Sequence, residues 1–209
     1  IACLGMVPAN SAKAPVTYAR VGAWEVNYDV DSCHLFGRFG VGEQSIVAKF
    51  TREQPDNQFS LTLYGKPLRV IDAHADVAVT FGSEGLPLKR SAMAGRTGTE
   101  DKRPLLIIDR LRLDGFDVLS KDAPAAPDIK AEYEATVKSI LIKLPLGKDV
   151  RLETGSLGAP FKALRACTSD LVKSWGYDPD VQAKLREAAH PTEHPGKWFQ
   201  SGDYPTSSI

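Results

Sequence analysis

The chain has 209 residues, 43% hydrophobic and 25% charged, enough to bury a full core as one domain or one domain with an appendage. Lys plus Arg and Asp plus Glu balance at 26 each, so no global attraction to nucleic acid or to an anionic membrane is expected. No stretch is long and apolar enough to span a bilayer as a helix.

Residues 1–14, IACLGMVPANSAKA, begin apolar and turn small and polar, with small-residue patterns suited to cleavage after Ala9 or Ser11. They resemble the end of a secretory signal peptide, which predicts a periplasmic or secreted protein. Lipidation of Cys3 is a second reading of the same stretch, and an ordinary N-terminal segment a third. If Cys3 is removed or lipidated, Cys33 and Cys167 remain, an even number in a compartment where disulfides persist. Neither has a second Cys or a His at a ligand-like interval, since His34 is merely adjacent to Cys33, so no metal is expected.

From Val16 onward the chain reads as strands. Residues 23–28 alternate apolar and polar, and the pattern resumes at 33–36. Residues 45–50 and 59–64 repeat it as a plausible hairpin, and 77–81, 105–113, 135–144 and 149–153 add further candidates. Residues 91–103 and 120–128 are rich in turn formers and charge and are expected to be connections. The cations Lys89, Arg90, Arg96, Lys102 and Arg103 then decorate a solvated loop. Interleaved aromatics of the kind that stack on bases are absent there.

Residues 153–176 carry the strongest helical pattern. Phe161, Leu164, Cys167, Leu171 and Trp175 recur at spacings of three and four, with Lys162, Arg165, Ser169, Asp170 and Lys173 opposite. Pro160 suits a first turn and Gly176 a C′ position. Asp178-Pro179 opens a shorter helix whose apolar side is Val181, Leu185 and Ala188, ended by His190-Pro191. The expected fold is mainly β (α+β): an antiparallel β-sandwich or curved sheet with two C-terminal helices packed on it. The domain spans 16–190, and 191–209 forms an extended linker. In that tail Trp198 and Phe199 should dock on the body, because two adjacent large aromatics are costly to leave in water.

No catalytic constellation stands out. Gly40-Val41-Gly42 is followed by a strand and not a helix, so a hairpin turn is favoured over a dinucleotide loop. Asp72, His74 and Asp76 could orient an imidazole for general-base work, although a polar turn is the simpler reading. His190 and His194 are separated by Pro191, which interrupts any helix that would align them on a metal. Glu153, Thr154, Gly155 and Ser156 are similar to the D-T-G-S loop of aspartic proteases, with Glu where the essential Asp would stand and no second copy. An enzyme reading would therefore be a hydrolase built on Asp72, His74 and Asp76 or on the 153–156 loop.

Residues 158–209, about a quarter of the chain, carry one resemblance to a family. Cys167, Trp175-Gly176, Pro195-Gly196-Lys197-Trp198 and Asp203-Tyr204-Pro205 match a segment of alphaproteobacterial envelope proteins, mainly of sphingomonads. In those proteins a helix with a Cys and a W-G end leads through a P-G-R/K-W and S-x-D-Y-P linker into a TonB-like C-terminal domain. The likeness implies a non-enzymatic envelope module upstream of a transducer domain that would begin where this chain stops. Its partner would be an envelope protein or other periplasmic component, with no nucleic acid and no cofactor.

A bridge between Cys33 and Cys167 would pin the main helix to the sheet. Closing a loop of over a hundred residues is worth roughly 4 to 5 kcal/mol in the chain-entropy model. A buried free cysteine at each site is the alternative.

Overall fold

Alternate burial along the strands shows which side chains face the core. In the computed structural model, which describes residues 14–53, 57–69, 73–98, 100, 102–120 and 126–182, β1 (Val16–Tyr28) is followed by β2 (Cys33–Phe39), β3 (Ile46–Arg52) and β4 (Phe59–Tyr64). Cys33, Leu35, Gly37 and Phe39 of β2 point inward together with Ile46, Ala48 and Phe50 of β3. The chain continues through β5 (Ala73–Phe81), β6 (Leu88–Arg96), β7 (Pro104–Leu111), a short helix α1 (Ala131–Thr136), β8 (Ser139–Lys143) and β9 (Val150–Glu153). Two helices follow, α2 (Gly158–Ser174) and the single turn α3 (Pro179–Gln182).

The protein is mainly β, but the sheet is a closed barrel in the order β1-β2-β3-β4-β7-β6-β5-β8-β9, not a sandwich or an open curved sheet. Closure comes from β9 pairing in parallel with β1, from Val16 opposite Val150 to Ala19 opposite Glu153. The other strand pairs are antiparallel. This pairing hides the two edges that an open sheet would leave for intermolecular addition. A barrel of about this strand number can be filled by side chains alone or hold one small ligand, and here Leu35, Phe39, Ile46, Phe50, Leu61 and Leu63 are buried inside it at 0% exposure.

Two register breaks shape the wall. Between Val21 and Glu25 of β1 the ladder shifts, with Gly22 at φ +78°, and Trp24 folds over the barrel. Its ring packs edge-on to Phe39 and Phe50, with centroids 5.9 and 5.8 Å away, and lies where a Cβ on Gly37 would stand. In β7 one extra residue opposes Ser60, and Arg110 takes a left-handed φ of +55°. The Arg110 carbonyl accepts from the buried Arg90 guanidinium, which also pairs with Asp117 at 3.0 Å.

Helix α2 lies across one end of the barrel. Phe161 contacts the rings of Phe50 and Phe59, at 5.4 and 5.3 Å, and Cys167 is bonded to Cys33, the first residue of β2, with Cα atoms 6.0 Å apart. The helix closes as expected on Gly176, at φ +85°. The Gly176 and Tyr177 amides donate to the Lys173 and Val172 carbonyls, the pairing of a Schellman cap. At the same end the buried Glu134 of α1 pairs with Arg165 of α2, and Arg112 grips Asp114 through two hydrogen bonds.

Several expectations are corrected. Trp175 is the C-cap of α2 and 45% exposed, whereas Thr168 and Val172 complete the dry face. Residues 91–96 are the larger part of β6 and not a connection. Its inward positions are Leu88, Arg90, Ala92 and Ala94, and two alanines with a buried arginine leave little apolar signature. His74 and Asp76 lie on β5 and not in a turn. Residues 131–136, partly assigned to a strand, form α1. Cys3 with the remainder of 1–13, Asp72, Leu185, Ala188, His190, His194, Trp198, Phe199 and the proposed linker 191–209 lie outside the described residues.

Candidate functional site

The end of the barrel opposite α2 is built from the β2–β3 turn, which brings Glu43 and Gln44, and from three connections that carry cations. The segment after β4 must pass the ends of β7 and β6 to reach β5, and on the way its Leu68 drops into the barrel mouth at 1% exposure. That places Lys66 and Arg69 on the rim, and both are exposed. The β6–β7 connection adds Arg96, Lys102 and Arg103. It is fastened by Thr97 N–H donating to Arg103 O (2.9 Å), Arg103 N–H to Thr97 Oγ1 (3.0 Å) and Arg96 Nη1 to Lys102 O (3.2 Å). The β8–β9 turn adds Lys148. Its Gly147, at φ +82°, lies under the Arg69 stem, so that a Cβ there would stand 3.2 Å from Arg69 Cβ and Cδ.

Two neighbouring grooves result. One, of about 690 Å³, is lined by Lys66, Arg69, Arg96, Lys102 and Arg103 with apolar walls from Leu68, Pro104 and Leu146. The other, of about 550 Å³, shares Lys66, Arg69 and Gly147 with it and adds Lys148, Tyr18 and Gln44. No carboxylate of the described residues lines either groove, and Lys66 is paired with Glu43 at the rim. Burial raises the Tyr18 phenol above its ordinary pKa of 10.0, so near neutrality it stays a neutral hydroxyl able to donate.

Cys33 and Cys167 meet in the bond described above, but among the described residues His74 and Asp76 do not meet the 153–156 loop. His74 and Asp76 are exposed on the outer face near the start of β5, across from Met93 and Ser91 of β6. Among the described residues no hydrogen bond or ion pair joins them. Asp76 lines a shallow groove beside Lys89, Arg90 and Lys143. Glu153 to Ser156 lie at the other end, where β9 leads into α2. There Ser156 Oγ donates to Ala135 O at 3.0 Å and the Thr154 amide to Lys138 O at 2.9 Å. Arg20 Nε holds the Thr154 carbonyl at 3.1 Å. The loop is thus a fastening between α1, α2 and the barrel. Gly40 to Ser45 form the β2–β3 turn, as their sequence suggested.

The sequence reading missed Lys66, Arg69 and Lys148, and dispersed Arg96, Lys102 and Arg103 into a solvated loop. A signal was present: once β6 is counted as a strand, the connections after β4, β6 and β8 all return to one end, and each carries a cation.

No family model, curated protein or solved structure matches the chain.

Proposed function

We propose that the chain is a non-catalytic module of the cell envelope that binds its partner on the outside of the barrel and stands upstream of a TonB-like transducer domain. The observation that carries this reading is the Cys33–Cys167 bond, which fastens α2 over one barrel end across 134 positions of sequence. Such a bond is compatible with an oxidising periplasmic or extracellular compartment. The cysteine of the resembling envelope segment, Cys167, thereby acquires a structural task, and Gly176 of its W-G end caps the helix. The filled interior supports binding at the surface and not within a cavity.

The reading is tested by incubating the purified chain with chromogenic carboxylic and phosphate esters and with a denatured protein substrate. The wild type, His74→Ala and Glu153→Gln are compared. No turnover above buffer is expected from any of them. Hydrolysis by the wild type that either substitution abolishes would replace the binding module with a hydrolase.

A further inference from the structure

We infer that the barrel end opposite α2 is a binding site for an anion carrying two phosphate groups, one seated by Arg96, Lys102 and Arg103 and the other by Lys148 and Tyr18. Lys66 and Arg69 stand on the ridge that both grooves share. The chain as a whole is neutral, and Glu43, Glu100 and Asp149 belong to the connections at this end, but the linings of the two grooves hold six cations and, among the described residues, no carboxylate. A site of this kind needs a positive sum, not unpaired cations, and Arg96 and Arg103 keep the interactions they already have.

The chemistry favours phosphate over other anions for two reasons. Arginine forks match the oxygens of a phosphate pairwise, and a phosphate can carry close to two charges where a carboxylate carries one. Two grooves meeting at Arg69 favour two such groups on one molecule, because the second then binds at the effective concentration set by the first. Leu68, Pro104 and Leu146 offer an apolar floor for the spacer between them. Among the described residues, Tyr18 is the one aromatic side chain lining the two grooves, and at 7% exposure it offers no ring-stacking platform of the kind bases would need. Gly147 keeps Arg69 in place, since any larger residue would strain the turn and press on the Arg69 stem.

The assignment rests on the non-catalytic reading above, and the test separates the two. Binding of fructose 1,6-bisphosphate, orthophosphate and a single-stranded oligonucleotide is measured by calorimetry on the full chain, while orthophosphate release is followed in the same mixtures. Sedimentation with phosphatidylcholine vesicles, with and without cardiolipin, distinguishes a soluble bisphosphate from a bisphosphate headgroup. Saturable binding of the sugar bisphosphate or of the cardiolipin vesicles supports the site. It should be at least about tenfold tighter than orthophosphate, and should weaken as salt rises past about 0.1 M.

The double substitution Lys66→Glu with Arg69→Glu changes exposed side chains and should weaken that binding at least about tenfold. Lys148→Glu should weaken it less, and Lys162→Glu on the outer side of α2 not at all. Equal loss in all three variants, oligonucleotide binding tighter than either bisphosphate probe, or no binding to any probe at low salt would each overturn the site. Bound bisphosphate that is steadily hydrolysed would keep the site and refute the non-catalytic reading.

Discussion

Gly37→Ala, a single added methyl group, should be poorly tolerated by this barrel. A Cβ at position 37 would stand 2.4 Å from Trp24 Cζ3 and 2.8 Å from Cη2. Carbon atoms in contact prefer about 3.5 to 4.0 Å, so the indole has to withdraw by more than about 1 Å. It is not free to do so, being wedged edge-on against Phe39 and Phe50 with the Arg20 guanidinium 5.8 Å from the ring. Overpacking a tight core costs about 1 to 3 kcal/mol, and each aromatic edge that is lost adds about 0.5 to 1.5 kcal/mol. A destabilisation of about 2 to 4 kcal/mol is therefore expected. At ordinary urea sensitivities, that lowers the unfolding midpoint by about 1 to 2 M, read by far-UV circular dichroism. The cause is isolated by repeating the change in a Trp24→Leu background, where the obstacle is gone. Trp24→Leu should itself be milder than most core truncations, because the buried indole N–H finds no acceptor among the described residues. A coupling of at least about 1 kcal/mol between the two sites is expected. A Gly37→Ala cost below about 0.5 kcal/mol, or an equal cost in both backgrounds, would refute the packing described.

Two further outcomes follow from the α2 end. Replacing both Cys33 and Cys167 by Ala should destabilise the chain by about 2 to 5 kcal/mol, the upper figure being the chain-entropy value for a span of this length. Urea unfolding with and without reductant checks it, and an unchanged midpoint in the double variant would contradict it. His34 is held below the ordinary imidazole pKa of 6.5, by burial first and by Lys49 second, against the opposing pull of Asp29 and Asp31. The unfolded chain therefore binds this proton more readily than the folded one. Stability tied to His34 is complete above about pH 6.5 and is lost as pH falls through the lowered folded value. His34→Gln, which can keep a hydrogen bond near Thr51, should flatten the dependence of stability on pH between about 7 and 5. An identical slope in the variant would place the titration elsewhere.

The helix over 158–174 was legible because Phe161, Leu164, Cys167 and Leu171 follow a local period that needs no partner to be seen. Most strands were legible for the same reason, as alternation along 33–39, 46–52 and 59–64 is written into each segment. Barrel closure was not, because it depends on Val16 to Ala19 finding Val150 to Glu153, a pairing that leaves no mark in either segment alone. β6 was lost since its core positions are filled by Ala92, Ala94 and a buried Arg90 whose charge is satisfied by Asp117 and the Arg110 carbonyl. With β6 went the basic end: Arg96, Lys102 and Arg103 look like loop residues until the strand places them opposite Lys66, Arg69 and Lys148. Trp175 followed the helical period but fell past the last turn, where the chain bends at Gly176 and the indole stays half exposed.

Helix α2 closes one barrel end and is held there by the Cys33–Cys167 bond, of a kind that persists where thiols are kept oxidised. This lock is tested most directly on the chain as its own cells make it. Thiols are trapped by alkylation in intact cells before lysis, and the unreduced protein is digested and mapped by mass spectrometry. Peptides containing Cys33 and Cys167 should be recovered joined to each other, and separate only after reduction. Recovery of both cysteines singly alkylated, without prior reduction, would contradict the locked lid and remove the support for the proposed envelope location.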